Sequence, residues 1–202
     1  MRTQFKRPMT DLGAVLAALL LASGVAQATI IETTQITAST ALPFFTFGST
    51  QFKIDQINDG ITSDSSPFNG FAANGIGSGL ITLALDQAYD LDNFVLSNDI
   101  NVSNEGVRTF NLEFFDVASN SLGITGTLNA ISQLAPQTYT FASSVNGVKT
   151  VHLNVLTSSL QIEIREVAFN GRATAVPVPE PATLALLGLG LAGLGAMRRR
   201  RS

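Results

Sequence analysis

The sequence contains no cysteine and no tryptophan. Without cysteine it can hold no disulfide, no thiolate metal site and no cysteine nucleophile. This says nothing against export, because a domain of about 140 residues buries enough surface to fold without staples. Charge is also scarce. Asp, Glu, Lys and Arg make up 13% of the chain, against roughly 25% in typical soluble proteins. A polar surface built from Ser, Thr, Asn and Gln suits an extracellular β protein. Basic residues are scarcest in the middle. Arg2, Lys6, Arg7, Arg198, Arg199, Arg200 and Arg201 lie at the two ends. Residues 29–178 hold only five basic residues against thirteen acidic ones, a formal charge of −8. An acidic domain without a basic patch repels phosphate backbones, which excludes nucleic acid as a partner.

Both ends carry addresses. Residues 1–11 are polar and basic, residues 12–25 are apolar, and Ala26 and Ala28 flank Gln27. That layout predicts a secretory signal peptide over residues 1–28, cleaved after Ala28. An uncleaved anchor helix is the alternative, although the apolar run is short for a span. At the other end, Val176-Pro177-Val178-Pro179-Glu180-Pro181 precedes an uncharged run at 182–197 and then Arg198 to Arg201. Each proline fixes φ and biases its predecessor away from helix, so residues 173–181 read as an extended linker. Residues 182–197 read as a hydrophobic helix, slightly short for a span, which crosses with its flanks or with local bilayer thinning. The arginines stop translocation and stay cytoplasmic.

Pro179, Glu180 and Pro181, followed by an apolar run and the Arg198–Arg201 cluster, resemble the PEP-CTERM sorting signal. The resemblance covers roughly residues 177–202. In that family, found in Gram-negative bacteria that make extracellular polysaccharide, a membrane-embedded exosortase processes the tail. The resemblance implies an exported protein that is held transiently in the inner membrane and then reaches the cell surface. A plain C-terminal anchor is the alternative. Both place residues 29–172 outside the cytoplasm.

Between the ends the hydrophobic period is two. Phe110, Leu112 and Phe114 alternate with polar neighbours, as do Val151, Leu153 and Val155, and Leu160, Ile162 and Ile164. Residues 80–85 and 91–96 read as two further strands. Asn58-Asp59-Gly60, Asn69-Gly70, Asn74-Gly75, Asn120-Ser121 and Asn146-Gly147 read as turns. Many short strands, each with one polar face, predict an all-β antiparallel sandwich over residues 29–172.

The order of motifs resembles the discoidin, or galactose-binding-like (F5/8 type C), jelly roll. Ile57-Asn58-Asp59-Gly60 precedes a loop with Asp64, Gly79-Leu80-Ile81-Thr82-Leu83-Ala84-Leu85-Asp86 follows, and Glu166-Val167-Ala168-Phe169-Asn170-Gly171 closes the domain. Members of that family often carry Trp after the Asp-Gly loop, and Phe68 or Phe71 takes that place here. The resemblance implies a structural Ca²⁺ between the Asp-Gly loop and the last-strand Glu, with Asp59, Asp64, Glu166 and loop carbonyls as ligands. Oxygen-only ligation suits that ion. The alternative is an ordinary Asp-Gly turn beside an edge-exposed Glu166. Parity supports a special role, because Leu160, Ile162 and Ile164 set an apolar register whose next member is Glu166. Either a bulge shifts the strand there or a buried carboxylate is compensated.

Catalytic signals are weak. His152, the single histidine, falls on the polar face of its strand with no Gly-x-Ser-x-Gly or other nucleophile signature. The carboxylates are scattered singly, with no evident acid pair. The Gly-rich stretch 70–79 leads into a strand and lacks the P-loop lysine. Sugars stack on exposed aromatic faces and take a few polar contacts. The loop aromatics are Phe44, Phe45, Phe47, Phe68, Phe71 and Tyr89, most of them expected in the core, and Arg108 is a polar contact by type only. No individual ligand-binding residue follows. The combined reading is a non-enzymatic surface or matrix-associated module that binds extracellular polysaccharide. A structural envelope or biofilm-matrix protein without a specific ligand is the second reading, and an exported hydrolase the third.

Overall fold

The computed structural model describes residues 29–62, 66–101, 105–131 and 133–175. The strands are β1 (Thr29–Ile31), β2 (Ile36–Ser39), β3 (Phe45–Phe47), β4 (Thr50–Phe52), β5 (Phe71–Ala72), β6 (Gly79–Asn98), β7 (Gly106–Phe115), β8 (Ser121–Ile124), β9 (Leu128–Asn129), β10 (Gln137–Ser159) and β11 (Glu163–Ala173). Two 3₁₀ turns, Thr33–Gln35 and Ile54–Asn58, are the only helical segments among the described residues. The main path of pairing runs β1-β11-β6-β10-β7-β8, with β2 on β6, β5 on β11 and β9 on β7. Every pairing is antiparallel. The expected β-sandwich is present.

Two long strands form its frame. The start of β6 pairs with the end of β10 (Leu83 with Val151), and the end of β6 pairs with the start of β10 (Phe94 with Tyr139). Register irregularities separate the two stretches. The first stretch lies beside β7 and β2, the second beside β11. The layers close over a shared core, where Phe94 meets Phe110 at 5.8 Å and Phe110 meets Tyr139 edge-on at 5.0 Å. Alternation explains the burial: Ile81, Leu83 and Leu85 are buried from β6, and Phe110, Leu112 and Phe114 from β7.

Two sequence readings change. The strands expected at 80–85 and 91–96 are one strand, because residues 86–90 contain no Gly or Pro to turn the chain. The Lys149 ammonium donates to the carbonyls of Leu85 and Asp86 where the ladder is irregular. Asn146-Gly147 is likewise no chain reversal. It sits inside β10 as an irregularity between Val145 and Val148, and Gly147 supplies φ of 74°. A bulge uses the same left-handed glycine as a tight turn, so sequence alone does not separate them.

A third irregularity orders the start of β11. Ile164 pairs with Asn98 and Glu166 pairs with Ser97, leaving Arg165 as the extra residue. The bulge moves the apolar register from Ile162 and Ile164 to Val167 and Phe169, all four of them buried. Gly70 packs on its backbone with φ of 139°. A Cβ there would lie 2.6 Å from the Ile164 carbonyl oxygen and 2.9 Å from Arg165 Cα, so no side chain fits.

Candidate functional site

The bulge buries three ionisable side chains in four residues, Glu163, Arg165 and Glu166. Arg165 donates from Nη2 to the Leu134 carbonyl, while its Nε and Nη1 have no hydrogen-bond partner among the described residues. Glu166 turns toward the Asp-Gly loop. The Gly60 N–H donates to Glu166 Oε1 at 3.4 Å, and Oε2 is buried without a partner among the described residues. Burial pushes the Glu166 carboxyl up to about 8, with the Asp59 charge adding to the rise and the Gly60 N–H opposing it. Asp59 accepts from Ile61 N–H at 2.9 Å, and Asn69 Nδ2 lies 3.0 Å from both of its carboxylate oxygens. Asn58 donates to the Ile36 carbonyl at 2.7 Å, and its own buried Oδ1 has no hydrogen-bond partner among the described residues. The orphaned oxygens are hard donors, and their chemistry fits a cation such as Ca²⁺.

Glu163 turns the other way, into a cavity of about 270 Å³. The β3–β4 hairpin supplies one wall through Phe45, Phe47 and Phe52, and Phe68 adds a fourth ring. Phe45 stacks on Phe52 at 6.2 Å. Phe47 is 74% exposed and Phe68 37%, so both offer faces to a ligand. Asn101, Glu105, Gln161 and Glu163 supply the polar wall. Gln161 Nε2 donates to Glu163 Oε1 at 3.0 Å and to Glu105 Oε2 at 3.3 Å. Its own Oε1 accepts from the Gly75 N–H at 3.1 Å, which fixes the amide. Glu163 is pushed up to about 8, first by burial, then by Glu105 and by the Asp99 charge, with the Gln161 bond opposing. Among the described residues no Lys, Arg or His lines this cavity. A larger groove of about 380 Å³, bordered by β8 and the first half of β10, carries no charged side chain among the described residues.

Comparison with solved structures identifies the scaffold. The chain resembles the family 32 carbohydrate-binding module of Clostridium perfringens NanJ, solved in complex with galactose, with a TM-score of 0.57 and 12% identity over 71% of this chain and 99% of that one. It also resembles a family 32 module from a Clostridium perfringens family 31 glycoside hydrolase, with a TM-score of 0.57 and 17% identity over 71% and 95%. An F5/8 type C domain from Bacteroides fragilis follows with a TM-score of 0.53 and 12% identity over 72% and 97%. The fold is discoidin-like. Residues 177–201 match the PEP-CTERM protein-sorting motif, which marks an exported protein. No curated protein matches the sequence.

Within the discoidin-like fold, the sequence-predicted residues separate into three groups. Asp59 and Glu166 come together across Gly60, and Glu166 is 5% exposed instead of lying open at an edge. Asp64 lies outside the described residues, as do Ala26, Ala28, Pro179, Glu180, Pro181, Arg198, Arg199, Arg200, Arg201 and the helix expected at 182–197. Among the described residues no three His, Cys, Asp or Glu side chains group for a metal, and no helix is long and apolar enough to cross a membrane. His152 is half-buried with its ring 4.5 Å from Phe115, and Arg108 lines neither the aromatic cavity nor the larger groove. Of the loop aromatics only Phe71 and Tyr89 are buried in the core. Sequence reasoning missed Glu163, Gln161 and Glu105. Glu163 has the opposite parity to the core positions Ile162 and Ile164, which reads as solvent-facing until the hairpin is placed over it.

Proposed function

We propose that the protein is an exported, non-catalytic glycan-binding module, sorted by an exosortase to the cell surface. The observation that supports this reading best is the cavity at the start of β11. Exposed rings of Phe47 and Phe68 face a polar wall of amide and carboxyl groups. A sugar presents the same two chemistries, apolar C–H faces and a hydroxyl edge. The fold adds to the case, since the neighbours include modules solved with galactose and with GalNAc-β-1,3-galactose. Fold alone carries no ligand, so the site has to.

In this reading residues 1–28 are removed as a signal peptide after Ala28, and residues 29–172 bind. Residues 173–181 are the linker, and residues 182–202 hold the protein in the inner membrane until the Pro179-Glu180-Pro181 tail is processed. Asp59, Asp64 and Glu166 hold a structural Ca²⁺ that pins the Asp-Gly loop to β11. Extracellular polysaccharide is the ligand class. The purified exported protein should be retained on a glycan array and on exopolysaccharide of the producing cell. Phe47→Ala should weaken retention about tenfold, or ~1.4 kcal/mol. Absence of retention on any glycan would overturn the reading in favour of a ligand-free matrix protein.

A further inference from the structure

The groove of about 380 Å³ beside β8 is built from a distinctive piece of sequence. Residues 117–148 contain no Asp, Glu, Lys, Arg or His. Every described residue lining the groove except Phe114 comes from that stretch. Fourteen of its thirty-two residues are Ser, Thr, Asn or Gln, so the wall is polar without being charged. Phe114 and Phe141 meet edge to face at 5.2 Å and give it aromatic surface. The exposed residues Thr140 and Ser143 add hydroxyls, and the Tyr139 hydroxyl, 3.1 Å from the Asn129 carbonyl, ties β10 to β9. Two sheet edges border the groove. Among the described residues β8 pairs only with β7, and residues 137–145 of β10 pair only with β6, so peptide groups along both edges have no ladder partner. Neither edge suits another strand. Gly123 in β8 has φ of 131°, β8 slips register against β7 between Phe114 and Phe115, and β10 is irregular between Thr140 and Val145. Strand addition needs a regular ladder, and such irregularities oppose it. Sugar hydroxyls donate and accept singly and need none.

We infer that this groove is a second glycan site, which takes a neutral polysaccharide chain lengthwise. It adds a site to the glycan-binding reading without using the cavity that supports it. The groove and the aromatic cavity share no lining residue among the described residues. They also differ in charge, since Glu105 and Glu163 line the cavity and no charged side chain among the described residues lines the groove. An ionic ligand would lose water here and gain no counter-charge. A neutral sugar lays its C–H faces on the phenyl rings and its hydroxyls on the Thr, Ser and peptide groups. Length favours a chain over a single sugar. Tyr139 and Val145 both line the groove, and a strand rising about 3.3 Å per residue spans roughly 20 Å between them, longer than one sugar ring. With one site in the cavity and one in the groove, a single domain joins two chains and cross-links matrix polysaccharide.

The test is calorimetric titration of the full-length protein with hexasaccharides of β-1,4-galactan and β-1,4-glucan, with their monosaccharides, and with hexagalacturonate. At least one neutral hexasaccharide should bind about tenfold more tightly than its monosaccharide, and added salt should leave that gain unchanged. Gly126→Trp should abolish the gain. A Cβ at Gly126 meets nothing within 4 Å, so the indole enters the groove without displacing its wall. Ser143→Trp, at an exposed position on the β10 side, should do the same. Phe47→Ala should leave the gain in place. A gain that survives both tryptophans and is lost in Phe47→Ala puts the chain in the aromatic cavity and overturns the inference while glycan binding stands. Hexasaccharides that bind no better than their monosaccharides do the same. Hexagalacturonate binding that the tryptophans abolish overturns the neutral assignment. A dimer seen by sedimentation that Gly126→Trp dissolves overturns the glycan assignment in favour of a second copy of the chain. Failure of every sugar, together with absence of retention on any glycan, overturns both readings.

Discussion

Glu163 makes the fold sensitive to pH in a defined direction. Its carboxyl titrates near 4.5 in the unfolded chain and near 8 in the folded one. Below about 4.5 it is protonated in both states. Between those values only the native state holds the proton, so stability falls as pH rises through the window. The melting temperature of the protein should therefore drop from pH 5 to pH 8, and Glu163→Gln should reduce that drop, leaving the share of Glu166, which burial also pushes up to about 8. An unchanged slope in the variant would show that other groups carry it. The residue was illegible from sequence because parity placed it on the solvent side. Its burial comes from Phe45, Phe52 and Ile100, which are distant in the chain and meet only after folding. Asp59 and Glu166 were legible as a pair, since a turn signature and a parity break are both local. Their contact through Gly60 bridges 106 residues and needed the fold.

At the scale of elements, β6 and β10 do most of the architectural work. Each contributes to both layers, so damage to their shared core is felt by both. Phe94 packs against Phe110, Tyr139 and Phe169 and is fully buried. Phe94→Ala should lower the stability by about 3–5 kcal/mol, read as the midpoint of a urea transition. A loss below 1 kcal/mol would mean that the two layers do not share one core. Strand existence followed from period-two alternation, which encodes which side faces the core. Strand continuity did not in full, because Asn146-Gly147 is equally compatible with a turn or an irregular ladder, whereas at 86–90 the absence of Gly and Pro was a legible sign that the chain does not reverse. The extra residue in β11 is an intermediate case. The parity change announced a bulge, and pairing of Ile164 and Glu166 with adjacent residues of β6 located it at Arg165.

For the whole molecule, the proposed ion would tie the Asp-Gly loop to β11. Ca²⁺ bound only by the native state raises the melting point by mass action, about 2.7 kcal/mol at a hundredfold excess over Kd. Melting in millimolar Ca²⁺ should occur at a higher temperature than melting in chelator, and Asp59→Asn should erase the difference. Identical midpoints would remove Asp59, Asp64 and Glu166 as ligands. Export and fold class were legible in sequence on its own. The Pro-Glu-Pro tail and the alternating strands are local patterns, and local patterns survive without coordinates. The site was decided by tertiary structure. Its rings come from residues 45–68 and its carboxyls from 105 and 163, so chemistry that is dispersed and unremarkable along the chain becomes one cavity only when a hairpin is folded across the end of a bulged strand.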